Sequence, residues 1–442
     1  MDTIRNRADA LVIGGGPGGS TIATLLRRKG WQVVLCEKDR HPRFHIGESL
    51  LPLNLPILQQ LSVLDQVREI GVVKYGAEFS ANGPGNEAET IYFADALDKT
   101  HPYAFQVKRS EFDHLLLNNS AKLGVTVHEG MTIKDVIFGS GPTHLVQGID
   151  ERGARHEWET RFVVDATGRD TFLAGKLGLR QKNKVHQSAA VFGHFKGVSR
   201  RSGKNEGNIS IYWFQHGWVW MIPLREDTVS VGAVCWPEYL KTRRKDVGAF
   251  LWDTIALCPG VTERMRRAQL IGTARAAGNF SYRAKRMYGR GYVLVGDAFA
   301  FVDPVFSSGV YLAMNSATAA ARAVDATLRD LPCADRLMRE FDHEVRRGLA
   351  MFSWFIYRFT SPAMQELFMA PRNVLRMKEA VISVLSGDVF RNRETQLPIA
   401  LFRGVYYLTS AMNWGRAWSA YRRRRLNARM KVSDAGLHRE SQ

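Results

Sequence analysis

The stretch from Ala8 to Glu37 limits what this chain can fold into more than any other part of it. Ala8 to Ile13 is a short apolar strand that ends in Gly14-Gly15-Gly16-Pro17-Gly18-Gly19. A helix-like run from Ser20 to Lys29 follows, then a second strand from Trp31 to Cys36, and then an acid, Glu37. Strand, glycine turn, helix, strand and acid, in that order, are what a dinucleotide site requires. Gly14 permits the tight turn, Gly16 lets the backbone approach a pyrophosphate, and Gly19 lets helix and strand pack closely. The helix N-terminus faces the phosphates, and Glu37, about 20 residues on, accepts hydrogen bonds from a ribose.

Two later segments separate a flavin dinucleotide from a nicotinamide one. Arg161 to Ala166 reads as a strand running into Asp165-Ala166-Thr167-Gly168-Arg169. Gly291 to Ala298 is a buried strand that delivers Asp297 at its end, placed for the ribityl or pyrophosphate part of an extended cofactor. Together with the glycine turn these resemble the FAD-binding fold of flavin monooxygenases and their relatives. The expected fold class is therefore α/β: an FAD-binding, Rossmann-like domain of the glutathione-reductase/PHBH type, an antiparallel-sheet substrate domain, and a C-terminal helical region. The resemblance implies cofactor contacts from Gly14, Gly16, Pro17, Gly19, Ser20, Glu37, Lys38, Arg43, Arg109, Asp165, Ala166, Thr167, Gly168 and Asp297. Arg109, in Val107-Lys108-Arg109-Ser110-Glu111-Phe112-Asp113, also reads as a surface arginine at a helix start. Gly139-Ser140-Gly141-Pro142 lacks a third glycine and a following helix, so the chain has one dinucleotide site and no separate NAD(P)H domain.

Gly217-Trp218-Val219-Trp220-Met221-Ile222-Pro223 narrows the resemblance. In an extended segment, alternation puts Trp218 and Trp220 on one face. The pair reads either as packing or as a wall beside the flavin. Trp218, Trp220, Ile222 and Pro223 match the signature tryptophan motif of the flavin-dependent halogenases. Phe301-Val302-Asp303-Pro304-Val305-Phe306-Ser307-Ser308-Gly309-Val310 matches that family's second signature and leads into a long helix from about Val310 to Arg329. Phe44-His45-Ile46-Gly47-Glu48-Ser49-Leu50-Leu51-Pro52 looks like the segment that covers the flavin in these halogenases and in geranylgeranyl-reductase-like proteins. The matches run over about residues 9 to 325. They add Ile46, Gly47, Glu48, Ser49, Pro304, Gly309 and Val310 to the implied cofactor contacts, and make Ser308 and Gly309 the halide contacts. Free N–H groups at the start of that helix suit an anion, although N-capping by Ser307 or Ser308 uses the same geometry.

The resemblance also implies a chemistry. Reduced flavin and O2 give a C4a-hydroperoxide, chloride or bromide attacks its distal oxygen, and the hypohalous acid travels to a substrate held apart from the flavin. Lys74, in Val72-Val73-Lys74-Tyr75-Gly76-Ala77-Glu78-Phe79, stands where carbocycle- and phenol-type members have the lysine that carries the halogen. Its ammonium can hydrogen-bond hypohalous acid and its free amine can form an N-halo-amine. Burial among apolar residues lowers a lysine pKa, because desolvation disfavours the charged form, and so frees the amine. Read alone, Lys74 is an ordinary surface lysine at a strand start. Trp218 and Trp220 would keep organic substrate from the flavin, so that halide reacts and monooxygenation is blocked.

The expected organisation is a discontinuous cofactor domain (1–80, 100–185 and 270–330), a substrate-side sheet (81–99 and 186–269) and a helical region (331–442). Ala88 to Lys108 and His186 to Trp236 are strand-like. Ser210 to Gln215, Trp218 to Leu224 and Val229 to Val234 read as consecutive antiparallel strands. Met338 to Tyr357, Asn373 to Leu385 and Phe402 to Arg425 read as helices whose aromatics are mostly core. The four cysteines, Cys36, Cys235, Cys258 and Cys333, form no metal-ligand spacing, no run suffices to span a bilayer, and the polar N-terminus reads as lacking a signal peptide. The expected location is cytoplasmic, without metal.

Of the +18 net charge, part lies in Lys196 to Lys204 and part in Arg422-Arg423-Arg424-Arg425, Arg429 and Lys431. Such clusters attract acidic partners or end as solvated tails, and without a nucleic-acid fold signature nucleic acid is discounted. The leading reading is an FADH2-dependent halogenase of phenols, pyrroles or similar rings, free or tethered to an acidic acyl carrier protein, and supplied by a separate flavin reductase. An FAD monooxygenase or geranylgeranyl-reductase-like oxidoreductase is the second reading. A non-catalytic flavin-binding partner protein is the third.

Overall fold

The computed structural model describes residues 4–81, 88–183, 187–244, 246–279, 281–390 and 393–430; His186 and Lys431 lie outside them. The apolar run at the N-terminus becomes the strand Ile4–Ile13, hydrogen-bonded in parallel to Arg155–Asp165 on one side and Val33–Glu37 on the other. Thr126–Glu129 and Tyr292–Leu294 extend the parallel core outward, and the antiparallel pair Met131–Phe138 and His144–Asp150 hangs on its edge. Gly139 to Pro142 is the turn of that pair, which explains its glycines without a second dinucleotide site.

Helix Pro17–Arg28 starts on proline, whose fixed φ suits the first helical turn. It packs between Arg109–Lys122 and the helix Ser308–Leu328. The last is rich in alanine, and Gly18 lies so near Ala313 that a Cβ there would sit 3.4 Å from its carbonyl oxygen. Small residues on both faces let the two helices close on the sheet.

The second sheet runs Gln269–Asn279, Ser188–Lys196, Val229–Cys235, Gly217–Pro223, Ile209–Phe214, Gly76–Ser80, Glu89–Tyr92. Every pairing is antiparallel except Ile209–Phe214 with Gly76–Ser80. The sheet thus draws in Gly76–Ser80 and residues from 270 on, which the sequence places with the cofactor domain, because their ladder partners lie there. Ala104–Val107 instead pairs with Gly71–Lys74 in a separate two-stranded ribbon, so the run from Ala88 to Lys108 is divided between two sheets.

Gly217–Pro223 is buried on both faces. Trp218, Trp220 and Ile222 enter the main core, while Val219 and Met221 enter a second core under helix Val247–Ala256.

Beyond residue 331 the chain is helical: Ala334–Ile356, Pro362–Met369, Met377–Leu385, Gln396–Met412 and Trp414–Arg429. Two helices expected to be continuous are broken. Leu375 and Arg376 adopt left-handed φ of 51° and 61°, and Asn413 turns the chain between the last two helices. Neither Leu375 nor Arg376 is a residue type that announces a left-handed φ, so the sequence does not mark that break, whereas Asn413 with Gly415 is a turn signal at the other. Among the described residues no helix is long and apolar enough to cross a membrane.

Candidate active site

Gly14, at φ +105°, and Gly19 are held by contact: a Cβ on Gly14 would lie 2.4 Å from the Ala166 carbonyl oxygen, and one on Gly19 only 1.8 Å from that of Gly14. Only glycine permits this crossing of strand, turn and helix. Gly16 is different, since a Cβ there meets nothing nearer than Arg43 Nη2 at 3.8 Å, and Gly168 and Gly309 face open space. No side chain caps helix Pro17–Arg28 or helix Ser308–Leu328, so both N-termini keep N–H groups to offer. N-capping by Ser307 or Ser308 does not occur: Ser307 sits at a left-handed φ of 57°, and the buried Ser308 Oγ has no partner.

Several implied contacts shape the loops from behind. Glu37 Oε2 accepts a hydrogen bond from Gly15 N at 2.6 Å, Glu37 Oε1 from Asp39 N, and Ser20 Oγ donates to the Gly15 carbonyl. Asp165 is fully buried. It accepts from Thr167 N, Thr167 Oγ1 and Leu173 N, so it fixes Ala166, Thr167 and Gly168 and does not itself reach outward. Burial raises its pKa. Lys38 is exposed and paired with Asp170. Asp297 is half-buried, and desolvation lifts its carboxyl to about 6. Pro304 is half-buried and Val310 buried at the start of the long helix.

Arg109 is not a surface residue. Its guanidinium forms a fork on Asp113, at 2.7 and 2.9 Å, and donates to the Ile46 carbonyl at 2.9 Å. Asp113 is itself fully buried; despite the opposing desolvation, the Arg109 charge holds its pKa down. Arg43 lies 3.7 Å from the same carboxylate. This knot pins the 44–52 segment at Gly47, whose φ is +102°. The i,i+4 spacing of Arg109 and Asp113 was a legible signal for it. Arg109→Ala leaves Asp113 buried with only a longer contact, so we expect a loss of about 3–5 kcal/mol in stability and weaker FAD retention. Urea unfolding and flavin fluorescence check both.

The 44–52 segment links the two halves of the site. Ser49 Oγ accepts a 2.7 Å hydrogen bond from Lys74 Nζ. Glu48, also buried, pairs with His194 Nε2 at 2.7 Å, leaving Glu48 Oε2 unpartnered. Phe44 stacks on Phe192 at 6.1 Å, and Phe192 lies 6.0 Å from Trp220. His194 stands on the second sheet, 146 residues from Glu48, and the sequence carried no signal of that pairing.

Lys74 ends the strand Gly71–Lys74 and is 1% exposed. The Phe93 ring centre is 5.3 Å from Nζ, and among the described residues no carboxylate lies within 4 Å of it. Desolvation lowers its pKa to about 7. Beside it, Asn208 Oδ1 accepts from Tyr75 N and Gly76 N, and Gly207 abuts the Val73 carbonyl.

Trp218 and Trp220 do share one face, with ring centres 5.8 Å apart. Trp220 Nε1 donates to Ser230 Oγ, and Gly232 makes room for the indole: a Cβ there would lie 2.3 Å from it. Phe359 contacts Trp218 and Trp213, and Phe306, from the second signature, contacts Phe359 at 5.3 Å.

Among the described residues the geometry joins a dinucleotide-type glycine turn, a buried lysine and a buried pair of indoles. The family model for tryptophan halogenase matches residues 85–368, and one for an NAD(P)-binding Rossmann-like domain matches residues 12–51. A 1H-pyrrole-2-carbonyl peptidyl-carrier-protein chlorinase of Pseudomonas fluorescens is 28% identical, over 88% of this chain and 91% of its own. A tryptophan 2-halogenase of Chondromyces crocatus is 37% identical, over 86% and 75%. The structure of a myxobacterial chondrochloren halogenase superposes with a TM-score of 0.76 at 30% identity, over 98% of this chain and 99% of that one. The chain belongs to the flavin-dependent halogenases, and is an enzyme of that oxidoreductase class. Membership implies FAD and a halide, and the residues present fit both: open space over Gly168 and Gly309, only ordinary contact with Arg43 over Gly16, uncapped helix starts, and the partnerless Ser308 Oγ.

Proposed function

We propose that this enzyme halogenates an electron-rich aromatic ring, phenolic or pyrrolic, and that Lys74 carries the halogen to it. The observation that carries the reading is a wholly buried lysine held by a hydroxyl and an aromatic ring, without a carboxylate partner among the described residues. A lysine buried for structure alone is expected to be ion-paired.

When bound, reduced flavin supplies with O2 the oxidising power that turns chloride or bromide into hypohalous acid. The backbone N–H groups of Ser308 and Gly309, at a helix start, hold the halide. Gly14, Gly16 and Pro17 would hold the pyrophosphate, and the 44–52 segment, pinned by Arg109 and Arg43, would cover the cofactor. Lys74 Nζ hydrogen-bonds the hypohalous acid or, as the free amine, takes the halogen itself, the O–X bond breaking and the oxygen leaving with an amine proton as water. Ser49 aims the amine, and Phe93 closes its other side. Trp218, Trp220, Ile222 and Pro223 wall off the aromatic substrate.

With one dinucleotide fingerprint in the chain, reducing equivalents come from a separate flavin reductase. A substrate presented on an acidic carrier protein suits the +18 charge and parallels the Pseudomonas relative, which acts on a carrier-bound pyrrole.

The test supplies purified protein with FAD, an unrelated flavin reductase, NADH, O2 and bromide, and a phenol and pyrrole panel, free and carrier-tethered. We expect a bromine isotope pair in the product. Hydroxylated or reduced products without bromine would favour the monooxygenase or reductase reading.

A further inference from the structure

Behind the aromatic wall lies a group of cations that the reaction above does not use. Arg358 follows the helix Ala334–Ile356 and directly precedes Phe359, whose ring meets Trp213 and Trp218. Its guanidinium donates to the Tyr407 hydroxyl at 3.0 Å and lies 4.7 Å from the Trp354 ring centre. Arg403, on Gln396–Met412, lies 4.9 Å from the same ring. It donates to Met351 Sδ, a weak acceptor, and lies near Tyr407, while among the described residues its buried Nε has no hydrogen-bond partner. Arg424, on Trp414–Arg429, donates to the Tyr357 carbonyl and likewise buries an unpartnered Nε.

All three arginines are half-buried, and among the described residues none is ion-paired to a carboxylate. The helices Gln396–Met412 and Trp414–Arg429 contain no acidic residue, and Glu366 on a neighbouring helix bonds Asn413 instead. Desolvation and the nearby Arg358 charge both depress the Arg403 and Arg424 guanidiniums.

Like charges gathered partly out of water cost free energy unless an anion joins them. Guanidinium forks with spare N–H groups match the oxygens of phosphate and carboxylate. We propose that Arg358, Arg403 and Arg424 form an oxyanion site that grips a phosphate or carboxylate carried by the substrate, outside the aromatic wall. Two sources share this chemistry: the phosphodiester of a phosphopantetheine arm, and a carboxylate on a free substrate. The substrate role rests on the halogenase reading; the anion site itself does not.

The test uses the full chain saturated with FAD, so that the cofactor's own phosphate site is filled. Inorganic phosphate titrated by calorimetry is expected to bind, with affinity at least about tenfold weaker in R403Q/R424Q. R403K, which keeps the charge but loses the fork, falls between them. In the unmutated protein, phosphate is expected to protect Arg358, Arg403 and Arg424 from phenylglyoxal, as mapped by peptide mass spectrometry. Equal phosphate binding by wild type and R403Q/R424Q, or no protection, overturns the site whatever the enzyme's activity.

In turnover, R403Q raises KM with kcat kept for the substrate that carries the anion. A rise confined to the carrier-borne pyrrole assigns the phosphodiester, and one confined to a free pyrrole carboxylate assigns the carboxylate. An unchanged KM for both overturns the substrate role.

Discussion

Lys74→Ala is expected to cut bromination by about 10²–10⁴-fold, the usual contribution of a positioned proton-transfer group, while FAD binding is retained. Lys74 touches no residue of the glycine turn; its partners are Ser49 and Phe93. Loss of bromide incorporation therefore reports the lysine and not a lost cofactor, provided that flavin fluorescence stays quenched to the same extent. Unchanged bromination in the variant would end the halogen-carrier role.

A second readout is independent of activity. The folded lysine titrates at about 7, lowered by burial, and the unfolded one at about 10.4. Between these values the unfolded chain holds more protons, so stability rises with pH across the window. Below it both states are protonated and the full cost of burying the charge is present. Lys74→Met removes that cost. The variant should be more stable than wild type at pH 6, and the gap should narrow by about 1.4 kcal/mol per pH unit above 7. Urea unfolding at three pH values checks this; a gap independent of pH would show that the ammonium is not destabilised by its surroundings.

What could be read from the sequence follows from the range of the forces involved. The glycine turn is a local matter of backbone sterics, so Gly14 and Gly19 announce the crossing of strand and helix directly. The alternation that sets Trp218 and Trp220 on one face is equally local, and the three antiparallel strands around them came out within a residue or two. Burial of Lys74 was not legible in this way. It depends on Ser49, Phe93 and the 205–208 turn meeting around the strand Gly71–Lys74, and no pattern in Val72-Val73-Lys74-Tyr75 distinguishes that from a surface strand. Glu48 with His194 is illegible for the same reason. Asp165 shows another limit: its motif pointed to a cofactor contact, and the structure adds that its carboxylate accepts three hydrogen bonds from its own turn, which the motif did not reveal. Arg424 read as part of a basic tail, yet its helix folds it against Tyr357, and nothing in the sequence around Arg403 signalled its place on the Trp354 ring.

The tryptophan wall makes the remaining large effect. Trp218 and Trp220 are each 5% exposed and touch one another, Phe192 and Phe359. Truncating either to alanine should cost about 3–5 kcal/mol, since the surrounding aromatics cannot collapse into the space. A lost product would then be ambiguous. Trp218→Phe with Trp220→Phe keeps most of the packing while shrinking both rings, and is the better probe of chemistry. We expect bromination to fall and an O2-dependent hydroxylated product to appear, because a smaller wall admits the aromatic substrate to the oxidant. Gly232→Ala reaches the same wall without touching an indole. Its Cβ would lie 2.3 Å from Trp220 and 2.5 Å from the Phe192 Cβ, so the Trp220 ring must turn away. Near-ultraviolet circular dichroism should register that movement, and the product should shift in the same direction as in the double phenylalanine variant. Full bromination with no hydroxylated product in both variants would mean that the indoles pack the sheet and exclude nothing.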